Sequence, residues 1–192
     1  MRTHWSEDSI DYDGSQLRAH WILARFGLVG DACVGFRGAC NVVTDEIADL
    51  EDLDGPGIAA NDMVHFVWET FTSCDLLLAV HRQRLFAACA GELLQRMSGV
   101  PLRREGDDLY LGDGKLSISI ATASPVSALL HFAVNATPGG APVPIATLAD
   151  LDVDPEAFGR ALLAAVADEQ ESIHAARAKV RSKGEWLPGG RS

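Results

Sequence analysis

The chain predicts an α+β layer fold, and three features of its patterning carry that expectation. Short stretches with strand-like alternation recur along it, one long helical pattern interrupts them, and a second follows the last of them. No internal repeat or low-complexity linker divides the 192 residues, so one domain over residues 1–182 is expected, with a loose tail at 183–192. That length is enough to bury a substantial core.

Ser15 is placed to cap a first helix running to about Arg25, with Leu17, Trp21, Leu23 and Ala24 as its apolar stripe and Gly27 as its end. Asp31–Arg37 reads as a strand with Ala32, Val34 and Phe36 on one side; Gly38 follows it, then a second extended piece, Cys40–Val43. The acidic run Asp45–Asp54 leads into Gly55-Pro56-Gly57 and is read as a solvated loop, which can also bear a cation. Met63–Thr70 alternates Val64, Phe66 and Trp68 against His65, Val67 and Glu69. Ser73 is the expected cap of the longest helix, Asp75 to about Met97, with Leu77, Val80, Arg84, Ala87 and Leu94 near one face. Asp154 and Pro155 open a terminal helix to about Val180.

Composition narrows the function. A net charge of −11 argues against non-specific binding to nucleic-acid backbones, which need neutralising cations. The longest apolar runs are far short of the ~20 residues a membrane span needs. The start, MRTHWSEDS, carries no apolar segment of the secretory kind, so a cytoplasmic setting is expected. Cys33, Cys40, Cys74 and Cys89 lack Cys-x-x-Cys spacing and are read as reduced thiols, with no pattern pointing to zinc or haem.

The densest chemistry lies in Arg103–Asn135, read as three successive strands in one sheet. Leu109–Leu111 runs into Gly112-Asp113-Gly114, a hairpin signal through its Asp-Gly pair. Leu116–Thr122 alternates, sending Leu116, Ile118 and Ile120 one way and Ser117 and Ser119 the other; Leu129–Asn135 is the third strand. The reading is a sheet with an apolar face and a hydroxyl-lined face suited to a ligand bearing phosphate or carboxylate.

Asp-Asp-Leu, a glycine-containing turn, Gly-Lys-Leu-Ser-Ile-Ser and the later His-Phe-Ala-Val-Asn resemble the central segment of biotin and lipoate protein ligases. The whole chain resembles more closely the family called domain of unknown function 366, through Tyr12–Arg18, Phe36-Arg37-Gly38, His81–Leu85 and Asp107–Thr122. The ligase resemblance implies a mainly antiparallel sheet of the class II aminoacyl-tRNA synthetase kind, a small-molecule ligand, ATP with magnesium as cofactors, and a homodimer. It also implies that Lys115 holds an acyl-adenylate. Asp108 matches the acidic half of the ligases' Asn-Asp pair, whereas Asp107 replaces the Asn. The glycine- and arginine-rich adenylate loop of those ligases is absent; Phe36-Arg37-Gly38-Ala39 is the nearest remnant.

From the residues themselves, Lys115 follows a turn on rigid strands, where its ammonium can reach a phosphate or carboxyl oxygen. Asp107 and Asp108 can coordinate magnesium or start the turn. Arg37 beside Gly38 can approach an anion or pair with the Asp45–Asp54 loop. Arg84 and Arg104 are further anion-binding candidates, as are Gln16 and Arg18 in a polar cluster at the first helix start. Ser117 and Ser119 are read as pocket hydroxyls, and Asn135 as a ligand hydrogen-bonder or a strand end. His65 and His131 are read as satisfied sheet histidines. Three functions stay open: acyl activation or transfer on a nucleotide-like ligand, a binding module on a ligase-like sheet, and an interaction protein dimerising through a sheet edge.

Overall fold

A computed structural model describes residues Met1–Arg181, so the expected tail at 183–192 lies outside the described residues. In chain order the elements are β1 (Arg2–Trp5), α1 (Trp21–Phe26), β2 (Ala32–Asn41), β3 (Ala59–Thr70), α2 (Leu76–Ser98), β4 (Arg103–Glu105), β5 (Asp108–Leu111), β6 (Gly114–Lys115), β7 (Ser117–Ala123), β8 (Ala128–Asn135) and α3 (Pro155–Lys179). The main sheet has the order β1-β2-β3-β8-β7, with β1 parallel to β2 and the remaining neighbours antiparallel. This is the mixed α+β, mostly antiparallel architecture that was expected. A second sheet, β4-β5-β6, stands beside it.

Alternation sets the two faces of the main sheet. Val64, Phe66 and Trp68 of β3 join Leu130, Phe132 and Val134 of β8 under α2 and α3, where Phe86 and Phe158 complete an aromatic cluster. Each buried phenyl ring contributes roughly 1.5–3 kcal/mol. Gly159 is required there: a Cβ on it would stand 2.1 Å from the Trp5 ring. The opposite face carries Val34, Phe36, Met63, Val67 and Ala133, covered by the 6–31 segment through Tyr12 and Ile22. Asp154 caps α3 and Pro155 begins it, as expected.

Several local expectations are corrected. The first helix starts at Trp21, not after Ser15, because side chains capture the backbone that a helix would use. Asp13 accepts the Ser15 amide, Gln16 accepts the Asp13 amide, and the buried Glu69 carboxylate takes the His20 amide while His20 sits at φ 68°. Asp75, rather than Ser73, caps α2 by accepting the Leu78 amide. The buried stripe of α2 runs through Ala79, Gln83, Phe86 and Ala90, and leaves Leu77 exposed. The hairpin turn is Gly112-Asp113, with Gly112 at φ 58°, the glycine-first form.

The largest correction concerns the expected three-strand unit. β5 belongs to the small sheet, and only β7 and β8 join the large one. Alternation breaks at Leu116, which lies between β6 and β7 and is buried in the helix-side core. Ser117 pairs with Val134 and Ser119 with Phe132, so both hydroxyls sit on the helix side. Ile118 and Ile120, opposite Ala133 and His131, take the other face.

Candidate functional site

A hollow of about 410 Å³ opens on the face away from the long helices. Its floor is Met63, Ile118, Ile120, His131 and Asn135, and its cover comes from the 46–58 and 141–145 loops. Tyr12 reaches it because residues 10–12 run along β2 at a bulge between Gly38 and Cys40. Gly38 permits that approach: a Cβ there would lie 2.1 Å from the Ile10 carbonyl oxygen. The Tyr12 ring then stacks on His131 at 3.7 Å with planes 3° apart.

His131 and His65 form a buried chain. His65 Nε2 lies 3.2 Å from the Gly38 carbonyl oxygen, and His65 Nδ1 lies 3.1 Å from His131 Nε2. Burial lowers the His65 pKa to about 4 and pushes that of His131 well below its usual value, so both rings are neutral near pH 7. A carbonyl only accepts, which assigns the His65 proton to Nε2 and leaves Nδ1 as acceptor. The His131 proton must therefore sit on Nε2, and His131 Nδ1 carries a lone pair. Among the described residues that nitrogen has no hydrogen-bond partner.

Lys115 is set firmly into the wall. Its amide donates to the Pro144 carbonyl, its own carbonyl accepts from Ala146 N, and Asn135 Nδ2 also donates to it. Its ammonium contacts Asp108 Oδ2 at 2.8 Å. Burial alone would lower the lysine pKa, but the Asp108 carboxylate outweighs it and the pKa is raised. Asp107 also lines the hollow, gripped from α2 by Gln83 Nε2 at 2.6 Å and by Arg84 at 2.8 Å. Burial nevertheless raises its pKa.

The structure thus gathers Lys115, Asp107, Asp108 and Asn135 around one cavity, with Arg84 behind Asp107. Ser119 touches the cavity wall, but Ser117 instead accepts the Leu109 amide in the helix-side core. Arg37 is elsewhere: it forms a bidentate pair with Asp62 at 2.8 and 2.7 Å, in a separate hollow with Gly38. Gln16 donates to the Asp11 carbonyl and holds a turn, Arg18 pairs with Glu46 at 2.7 Å, and Arg104 bonds the Gly106 carbonyl. Sequence reasoning missed Tyr12, His131 as a wall residue, and the acidic loop as a cover. The Phe36-Arg37-Gly38 run was the one available signal, since its glycine admits the Tyr12 segment.

Asp107 and Asp108 are each engaged by separate cationic side chains, and no group of three or more His, Cys, Asp or Glu side chains able to hold a metal occurs among the described residues. No helix among them is long and apolar enough to cross a membrane.

Similarity to known proteins falls into two tiers. A protein of unknown function from Pyrococcus horikoshi has a solved structure 41% identical to this chain, with a TM-score of 0.90, covering 97% of this chain and 98% of that one. An uncharacterized protein of Methanocaldococcus jannaschii is 36% identical over 153 residues, 77% of this chain and 69% of its own length. Biotin protein ligase from Aquifex aeolicus, solved in complex with biotin and ATP, shares the fold at a TM-score of 0.61 and 11% identity, over 90% of this chain and 71% of that one. The family described as Domain of unknown function (DUF366) matches residues 1–181, and this chain belongs to it.

Proposed function

We propose that this protein binds a small organic molecule in the hollow on the loop-covered face of its sheet. One observation carries the reading: a cavity of about 410 Å³ with a rigid apolar floor and a few polar groups converging on it. That is the usual form of a ligand site. The buried residues His131 and Asn135 are held by internal hydrogen bonds, yet each keeps an acceptor, Nδ1 and Oδ1, with no partner among the described residues. Likeness in fold to a biotin protein ligase solved in complex with biotin and ATP supports a small-molecule ligand.

The test is mass spectrometry of small molecules released on denaturing the native protein, beside an Ile120→Trp variant whose indole fills the hollow. A compound present near one equivalent in the wild type and lost in the variant is expected. Equal amounts in both, or none in either together with no ligand-induced thermal stabilisation, would defeat the reading.

A second reading, activation or transfer of an acyl group on a nucleotide with magnesium, has Lys115 in its favour, because the ammonium stands on the cavity wall. Against it stand the Asp108 contact that already occupies this cation and the placement of Arg37 in another hollow. ATP–pyrophosphate exchange across small carboxylic acids, compared with Lys115→Ala, decides it. Exchange that the variant loses would make this the leading function.

A further inference from the structure

The charge and hydrogen-bonding character of the hollow points to a ligand class. Five carboxylates line it, Glu46, Asp49, Asp52, Asp107 and Asp108, against the single ammonium of Lys115. Glu46 and Asp107 are paired by Arg18 and Arg84, which stand outside the lining, and Asp108 is paired by Lys115. Asp49 and Asp52 have no ion-pair partner among the described residues. A phosphate or carboxylate entering here would meet like charge and no free cation; a positive group would be attracted from several sides.

An independent observation comes from the floor. His131 is 2% exposed, yet its Nδ1 is left as an unpartnered acceptor by the Gly38–His65–His131 chain. Asn135, 3% exposed, donates through its amide nitrogen to the Lys115 and Ala146 carbonyls, so its remaining oxygen is also an acceptor. Rim and floor therefore agree: both offer acceptors, and the one lining cation, Lys115, is already paired. We propose that the hollow selects a donor-rich cationic ligand, an amine- or amidine-bearing small molecule whose positive end faces Asp49 and Asp52 and whose N–H group donates to His131 Nδ1. The proposal rests on the small-molecule reading above and specifies the ligand for that same site.

Three ligands of one shape and different charge test it: benzamidine, benzamide and benzoate, titrated calorimetrically into the full chain. Benzamidine is expected to bind about tenfold or more tighter than benzoate, with benzamide between them. The double variant Asp49→Asn/Asp52→Asn changes only exposed loop side chains and should cut the benzamidine preference several-fold. His131→Phe, if it folds, should weaken benzamidine and benzamide alike; if it does not fold, the loop variant decides alone. Benzoate binding as tightly as benzamidine, with Ile120→Trp abolishing both, would overturn the ligand class and leave the small-molecule reading standing. No binding of any of the three would overturn the class, whereas the small-molecule reading falls only with the copurification result.

Discussion

Strand β8 shows both faces of the main sheet within eight residues. Leu130, Phe132 and Val134 meet α2 and α3 in a close-packed aromatic and aliphatic core, whereas His131, Ala133 and Asn135 look toward the 6–31 segment and the hollow. The two faces obey the same alternation but do different work. The helix face is filled by large side chains and holds the fold together. The loop face packs a smaller core around Val34, Phe36, Met63 and Val67, and beside it, where β8 presents His131 and Asn135, space remains. The larger core lies on one side of the sheet, and the hollow on the other.

The sharpest way to break that contrast is to cut the helix face. Phe86→Ala should cost roughly 3–5 kcal/mol in urea unfolding, since the fully buried ring packs on Phe66 and Phe132 and would leave a cavity. A change below 1 kcal/mol would mean that the aromatic cluster is not the centre of stability.

Acid tests the loop face. His65 has a folded pKa of about 4, below its unfolded value, so the unfolded chain takes up the proton first. The contribution is fully present above about pH 6.5 and is lost as pH falls toward 4, up to about 3 kcal/mol from this residue, with His131 adding in the same direction. Urea midpoints between pH 7.5 and 5 should fall accordingly, and His65→Leu/His131→Leu should flatten that slope. An equal slope in the variant would place the acid sensitivity in other groups.

Two smaller effects sharpen the functional side. Lys115→Met should change stability by no more than about 1 kcal/mol, because its pair with Asp108 is partly exposed. It should tighten benzamidine binding several-fold by releasing the Asp108 charge; loss of that binding would instead mark the lysine as a ligand contact. Arg37→Gln should leave affinity at the hollow within twofold, since Arg37 and Asp62 belong to the separate hollow. A larger change would show that the two hollows are coupled.

Much of the site was legible along the chain, but only its local parts. Lys115 after a turn, the acidic pair and Asn135 at a strand end were picked out by residue type together with the ligase resemblance, and the structure brings them to one cavity. The serines do lie opposite Ile118 and Ile120, as the alternation requires, but their face is the one under the helices, and a period-two pattern does not say which face of a sheet a helix will cover; only Leu116 departs from the alternation. Arg37 could not be assigned because its partner, Asp62, lies across a strand pairing that no local pattern specifies. Gln16 and Arg18 looked like a helix start, yet Glu69, 49 residues from His20, captures the backbone that decides where α1 begins.

The sequence by itself determined the layer class, the two long helices with the α3 cap, and the alternation of β3, because hydrophobic period and capping chemistry are short-range properties. Tertiary structure alone decided the membership of β5 in a second sheet, the stack of Tyr12 on His131 and the turning of five carboxylates toward one space. Those depend on which distant segments meet, and in the approach of Tyr12 that meeting is set by a Cβ missing from Gly38.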